Sequence, residues 1–322
     1  MQISVILCTC NRCQDLRTAL DSVARSALSD AVEWEVLIVD NNSTDQTSEV
    51  AKEFAARYPG RFRYVCEPRQ GKSYALNTGI RESRGDVIAF LDDDVTVEPT
   101  WLGNLTMVLE SDEWAGASGR TLIPEPWSAP RWLALEGPHS LGGFLAAVFD
   151  LGGKPCELKQ APFGANMAYR REMFEKYGLF RTDLGPSADR NIPRSHEDTE
   201  FGRRLLAAGE RLRYEPSAVV HHPVHKNRIR KDYFLGRCFD SGRGLMRSLG
   251  EGPEICGVSR RYWRIGKLML MVLPMKTLRW VLSLRSQERF SRKCLVWMTA
   301  GQISELYHQT EAVESPAMMR AK

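Results

Sequence analysis

Three adjacent aspartates, Asp92, Asp93 and Asp94, close the apolar run DVIAFL (86–91). Carboxylates so placed repel one another and resist desolvation unless a cation or basic partner meets them. In an extended chain Asp92 and Asp94 point to one face and Asp93 to the other, so the outer pair can address one ligand together. Hard oxygen donors favour Mg²⁺ or Mn²⁺, with phosphate oxygens and water completing the shell. Downstream, HHPVH supplies His221, His222 and His225. Neighbouring side chains in a strand face opposite ways, so one of these histidines is expected to join the metal. In SHEDTEFGRRL, Glu197 and Asp198 open an amphipathic helix that Ser195 can cap. Negative charge is favoured at a helix start, and an ionised carboxylate is what a general base requires. Plainer readings exist for each group: a solvated acidic turn, a structural histidine, a pair that merely complements a helix dipole.

Other motifs narrow the chemistry by failing. RQGKSYALNTG ends like a phosphate loop, but that motif needs Gly where Cys66 stands. Lys72 remains a candidate contact for a phosphate or nucleobase, or an ordinary exposed lysine of a turn. No GxGxxG follows the first apolar run, which disfavours a dinucleotide dehydrogenase. Cys8, Cys10 and Cys13 lack the second nearby pair that a zinc site would use.

These groups need a scaffold. Over the first half, short runs rich in β-branched residues alternate with helical patterns, the rhythm of βαβ units around a mostly parallel sheet buried on both faces. SVILCT (4–9) is expected as a strand, followed by a helix with Leu16, Leu20, Val23 and Ala27 on one stripe, then EVLIVD (35–40) as a second strand. Ser43 and Gln46 have the spacing of a capping box before a helix lined by Val50, Phe54 and Tyr58. Further strands are expected at 62–66, 86–91, 115–123 and 218–221, and helices at 73–82, 170–177 and 197–208, the last two stopped by Gly178 and Gly209. The Pro-, Gly- and Trp-rich stretch 124–162 has no clean period and is expected to be loop and short helix over a site. Thr9, Asn11, Arg12, Asp40, Asn41 and Asn42 stand, like the aspartate triplet, at carboxyl ends of strands, where open α/β sheets bind ligands.

At 322 residues, with 43% hydrophobic and 26% charged, the chain is neither disordered, collagen-like nor a small disulfide scaffold, and it exceeds one average domain. The net charge of +4 hides an asymmetry: residues 226–322 hold 19 Lys and Arg against 8 Asp and Glu, or +11, leaving −7 for residues 1–225. Two regions are therefore expected, an acidic catalytic body (1–225) and a basic, mainly helical extension (226–322). An excess of positive charge favours an anionic partner, by charge alone a membrane or nucleic acid. In the extension, LMLMVLPM (268–275) lies among Arg260, Arg261, Arg264, Lys267, Lys276 and Arg279. Eight apolar residues in a row fall short of the about 20 that a span needs. The pattern fits an amphipathic helix in the headgroup region of an anionic leaflet, or else a core helix of a small helical subdomain. The start MQISVILCTC has no signal-peptide pattern, so reduced thiols and a cytoplasmic location are expected.

Taken in order, SVILCTCNR, VDNNSTDQT, GKSYALNTG, FLDDDV, GANMAYRR and HEDTEFGRRLLAAG resemble the inverting nucleotide-sugar glycosyltransferases of family 2, of bacterial type, over roughly residues 1–225. The resemblance implies an α/β, Rossmann-like GT-A fold, with a mostly parallel sheet flanked by helices. It implies that Thr9, Asn11, Arg12, Asp40, Asn42, Lys72, Asp92 and Asp93 bind the donor nucleotide. Asp94, with His222 nearby, would meet the divalent metal (Mg²⁺ or Mn²⁺) of a DXD motif. Gly164, Ala165 and Asn166 would form a loop that faces donor sugar and acceptor, with Glu197 beside it, and Asp198 would be the catalytic base. The donor would be a nucleoside-diphosphate sugar, most often a UDP-sugar in this family. The QxxRW signature of processive synthases is missing; KTLRW (276–280) lies too far downstream. Transfer of one sugar is therefore expected, to a lipid-linked or cell-envelope glycan at the inner membrane face, with no nucleic acid partner. The competing functions are a metal-dependent nucleotide phosphohydrolase and a non-catalytic nucleotide-sugar-binding module.

Overall fold

A computed structural model describes residues 1–28, 32–250 and 259–314, so parts of the basic extension (251–258 and 315–322) lie outside the described residues. The elements in chain order are β1 (Gln2–Thr9), α1 (Cys13–Ala24), β2 (Glu33–Asp40), α2 (Thr47–Arg57), β3 (Phe62–Cys66), α3 (Lys72–Glu82), β4 (Val87–Asp92), β5 (Thr96–Val97) and α4 (Trp101–Met107). They continue with β6 (Gly116–Leu122), α5 (Gly142–Ala146), β7 (Cys156–Glu157), β8 (Asn166–Arg170), α6 (Arg171–Tyr177), α7 (Glu197–Ala207) and β9 (Leu212–His221). Four helices follow: α8 (Lys231–Leu249), α9 (Arg260–Lys267), α10 (Leu273–Val281) and α11 (Ser286–Glu314), with a π-helical turn (Leu268–Val272) between α9 and α10.

The strands form one nine-stranded sheet in the order β3-β2-β1-β4-β8-β6-β9-β5, with β7 also on β9. β1 to β4, β6 and β9 run one way, and β5, β7 and β8 run against them. Alternation along β1 sends Ile3, Val5 and Leu7 into one layer with Leu16, Leu20 and Val23 of α1 and Val50 and Phe54 of α2. Ile6 enters the opposite layer with Leu76 and Ile80 of α3. Both faces are covered, so the strand is apolar throughout.

Four expectations need correction. Ala27 lies beyond the end of α1 and is exposed. The capping box does not form: Asp45 accepts the Thr47 N–H (3.0 Å), while the Ser43 hydroxyl accepts the Asn11 N–H (2.9 Å), so the loop is drawn toward β1 instead. The loop that the resemblance implies at 164–168 ends early, because Asn166 already opens strand β8, held between β4 and β6. Turn-forming Gly164 and Asn166 mask so short a strand. The last strand starts at Leu212, six residues before its expected beginning, because its first half pairs with β6 ahead of a register shift at Gly119.

The chain divides into two compact units: Met1–Trp127 with Ala146–Arg190 and Glu197–Val224, and Ser128–Leu145 with Asn191–His196 and His225–Lys322. The first holds the whole sheet. In the second, Trp132 meets Phe234 and Phe290 edge-on at 5.6 and 4.9 Å. Arg243 donates to the Asn191 carbonyl (2.7 Å), and fully buried Glu305 receives Arg243 (3.2 Å) and Arg247 (2.5 Å). α8 and α11 cross at Gly242 and Gly301, where an added Cβ would lie 2.0 Å from the Met298 and Phe239 carbonyl oxygens respectively. Since backbone cannot yield there as a side-chain tip can, Gly301→Ala is expected to destabilise this unit by about 2–3 kcal/mol, read as a lowered urea midpoint. Ile265 and Leu268 pack with Met246 and Leu306, whereas none of residues 269–282 is buried, so only the start of the stretch 262–284 enters a core.

Candidate active site

Register brings the polar strand ends together: Thr9 pairs with Asp40 across β1 and β2, and Cys8 with Asp92 across β1 and β4. Asp40 is buried; it accepts the Ser43 N–H (3.0 Å) and the Tyr64 hydroxyl (3.2 Å). Burial and the Asp40 charge push the Tyr64 phenol upward, so it stays a donor. Asn11 and Asn42 take left-handed conformations (φ 54° and 59°), which asparagine tolerates. The Asn11 carboxamide oxygen accepts the Thr44 N–H (2.7 Å), tying two loops together, and exposed Asn42 offers its carbonyl to Gln70 (3.2 Å).

The aspartate triplet splits as its backbone turns. β4 ends at Asp92, so strand alternation no longer governs Asp93 and Asp94. Arg12 reaches both, 3.4 Å from Asp93 and 2.5 Å from Asp94. Burial and the neighbouring carboxylates push Asp93 up to about 7, against the pull of Arg12. Asp92, Asp94 and His222 each offer a ligand atom, all within 4.8 Å of one another. The pairing of Thr96 with His221 brings the two segments together: one step further in the antiparallel register Val95 falls opposite His222, with Asp94 next to it along the chain. His221 turns the other way, to Glu98 (2.8 Å).

The donor set fits a cation. His222 Nδ1 lies 3.0 Å from the Pro223 carbonyl, which can only accept, so Nδ1 holds a proton. Nε2 then faces Asp94 Oδ1 at 3.4 Å. In the neutral ring these are two acceptors in apposition, an arrangement that a cation between them relieves. Two carboxylates and an imidazole suit a divalent ion of the Mg²⁺ or Mn²⁺ kind, with room for phosphate oxygens.

Lys72 and the acidic pair of α7 complete the site. Lys72 donates to Asp92 (2.7 Å) and lies 3.6 Å from Glu197. Burial alone would push its ammonium down, but Asp92, Glu197 and Asp198 outweigh burial and hold it well above its ordinary range. Glu197 is pushed up by burial and by Asp198. Asp198 accepts the Gly164 and Thr199 N–H groups, both at 2.6 Å. A Cβ on Gly164 would lie 2.9 Å from the Asp198 carboxylate, so a side chain there would displace that carboxylate. Lys72, Asp92, Gly164, Glu197 and Asp198 line one small pocket.

The expected loop at 164–166 contributes less than its residues promised. Ala165 is packed in the core. The Asn166 side chain accepts the Trp101 indole N–H (2.8 Å) and donates to the Arg120 and Ala218 carbonyls (3.1 and 2.9 Å), so it braces the sheet rather than facing a ligand.

Sequence reasoning placed Asn41 only among the polar strand ends and passed over Glu67, yet both shape the loop that delivers Lys72. The Asn41 amide donates to the Glu67 and Arg69 carbonyls (3.1 and 2.7 Å), and its oxygen accepts the Gly71 N–H (2.8 Å). Glu67 grips the Arg69 guanidinium at 2.9 and 2.8 Å. No periodic signal marks such residues. Arg69 and, with it, Thr78 and the Arg69 N–H hold the Glu67 carboxyl at about 2, against burial and below its ordinary 4.5. A depressed carboxyl stabilises the fold above the unfolded value and loses that contribution as pH falls through the folded one. Because Arg69 is exposed and screened, Glu67→Gln is expected to cost about 1–2 kcal/mol at neutral pH. That difference should shrink as pH falls from 4.5 toward 2, which thermal unfolding of both proteins across acid pH would read.

Residues 4–178 match the family model for glycosyl transferase family 2. The chain is 27% identical over 246 residues to the glucosyl-dolichyl phosphate glucuronosyltransferase of Haloferax volcanii, covering 75% of each chain. It is 28% identical over 251 residues to the succinoglycan biosynthesis protein ExoM of Rhizobium meliloti, covering 78% of this chain and 76% of that one. Its fold is similar to that of the mannosyltransferase PcManGT from Pyrobaculum calidifontis, solved with GDP-Man and Mn²⁺. The TM-score is 0.63 at 18% identity, over 95% of this chain and 87% of the other. With the family model matching more than half of its length, a GT-A sheet and a metal-capable DXD-like cluster at the strand ends, the chain belongs to glycosyl transferase family 2 and is a glycosyltransferase.

Proposed function

We propose that this glycosyltransferase moves one sugar, with inversion, from a nucleoside-diphosphate sugar, of UDP type, to a hydroxyl of a lipid-linked or cell-envelope glycan at the cytoplasmic face of the membrane. Residues 1–225 hold the donor and perform the chemistry, and residues 226–322 form the basic extension. One observation carries the reading: Asp198 and Asp92 line the same pocket, and Asp92 also belongs to the cluster with Asp94 and His222. This supports a base working beside a diphosphate site.

Each Asp198 oxygen already accepts one backbone N–H and keeps a second lone pair. That lone pair takes the acceptor's hydroxyl proton while the hydroxyl oxygen bonds to the anomeric carbon. The bond from that carbon to the diphosphate breaks on the opposite face, and the electron pair leaves with the nucleoside diphosphate. Lys72 holds Asp92 in place and adds positive charge near the leaving group. Asp40 and Thr9 bound the nucleotide end. A divalent cation held by Asp92, Asp94 and His222 would supply Lewis-acid stabilisation of the departing charge.

The relatives named for glucosyl-dolichyl phosphate and for succinoglycan biosynthesis support an acceptor of this kind. Because the fold neighbour was solved with GDP-Man, UDP- and GDP-sugars are the two arms of the test. A thermal-shift screen of both, with and without Mn²⁺, is expected to show metal-dependent stabilisation by the true donor. Product analysis should then find intact nucleoside diphosphate and a new glycoside. Free inorganic phosphate would point to a phosphohydrolase instead, and binding without turnover to a non-catalytic module.

A further inference from the structure

Ten of the sixteen exposed large apolar side chains among the described residues lie between Tyr262 and Leu284. Leu270, Leu282 and Leu284 are 80%, 66% and 97% exposed. On α10 the exposed Met275 and Leu278, with Leu282 just after it, follow i, i+3, i+7 spacing and so form one stripe. The opposite side of α10 is occupied within its own unit: Lys276 donates to Thr299 (2.9 Å), and Trp280 stands edge-on to Trp297 at 6.4 Å. The apolar stripe is thus a face the helix presents outward.

Its surroundings select a partner. Residues 259–287 contain seven Lys and Arg and no Asp or Glu. Lys267, Arg279 and Arg285 are exposed, and half-exposed Tyr262 and Trp263 stand at the start of the run. A second copy of the chain would bring one positive patch against another. No helix among the described residues is long and apolar enough to cross a membrane. Apolar side chains flanked by cations and aromatic rings match the boundary between acyl chains and anionic headgroups.

We propose that α9, the π-helical turn and α10 form an interfacial anchor that lies flat on an anionic phospholipid bilayer. Met275, Leu278 and Leu282 enter the acyl boundary, and Lys267, Arg279 and Arg285 meet the phosphates. The anchor takes up the membrane location proposed above, and its test needs no sugar nucleotide, so its failure would leave the transfer reading intact.

The experiment is flotation of the full chain with vesicles of phosphatidylcholine alone and of phosphatidylcholine with phosphatidylglycerol at a ratio of about 7:3. The chain is expected to float with the anionic vesicles and to be released by high salt. The double variant Leu278→Asp, Leu282→Asp should bind at least about tenfold more weakly, as should Arg279→Glu, Arg285→Glu. All four side chains are exposed, so circular dichroism and the melting temperature should match the parent. Absence of the parent from the floated fraction would overturn the proposal. So would undiminished flotation of the leucine variant. A parent dimer that the leucine variant dissolves, with no vesicle binding, would assign the stripe to a second copy and also overturn it.

Discussion

Asp198→Asn is expected to lower turnover by about 10²–10⁴-fold while donor affinity stays within a few-fold of the parent. The carboxamide is nearly isosteric but cannot take up the acceptor's proton. It also presents an NH₂ group to one of the two backbone N–H groups that the carboxylate now accepts. That mismatch should cost about 1–3 kcal/mol locally, so the loss of rate must be read beside the melting temperature and donor binding. Steady-state transfer together with calorimetric titration of the donor separates the two effects. Near-parental turnover would remove Asp198 as the base, whatever the other residues do.

The second large effect concerns the cation. Transfer is expected to vanish in excess chelator and to return with added Mn²⁺ or Mg²⁺. Asp94→Ala should lose about 10³-fold or more, the equivalent of about 4 kcal/mol of Lewis-acid stabilisation. His222→Ala should weaken metal binding while sparing the fold. Titration of Mn²⁺ in the presence of nucleoside diphosphate gives a readout independent of turnover. Asp94→Ala also deprives Arg12 of its nearest carboxylate, so Arg12→Lys is the companion variant that changes the guanidinium and spares the proposed ligands. Full transfer in chelator would dismiss the metal and leave Arg12 and Lys72 to stabilise the departing charge.

The two predictions concern residues that were visible for different reasons. Asp92 and Asp94 stood out because charge at the end of an apolar strand violates the local pattern. Asp198 was one of two candidates for a base, with Glu197, and only the resemblance chose between them, since an acidic residue at a helix start is ordinary. Its tie to Gly164 depends on a contact spanning 34 residues, which no local pattern reveals. Asn166 shows the opposite error. The resemblance placed it in a loop facing the donor sugar, yet the sheet absorbs its hydrogen-bonding capacity.

Local periodicity and composition, which depend on neighbours a few residues apart, were enough to establish the βαβ rhythm, the apolar runs, the acidic strand ends and the basic extension. What they left open was long-range: which histidine joins the aspartates, how Asn41 and Glu67 hold the Lys72 loop, and that 128–145 and 191–196 pack with the C-terminal helices. Those outcomes follow from strand register and from helix packing between segments far apart along the chain. Such pairings are selected by the burial and hydrogen bonding of the whole fold, so only the tertiary structure could decide them.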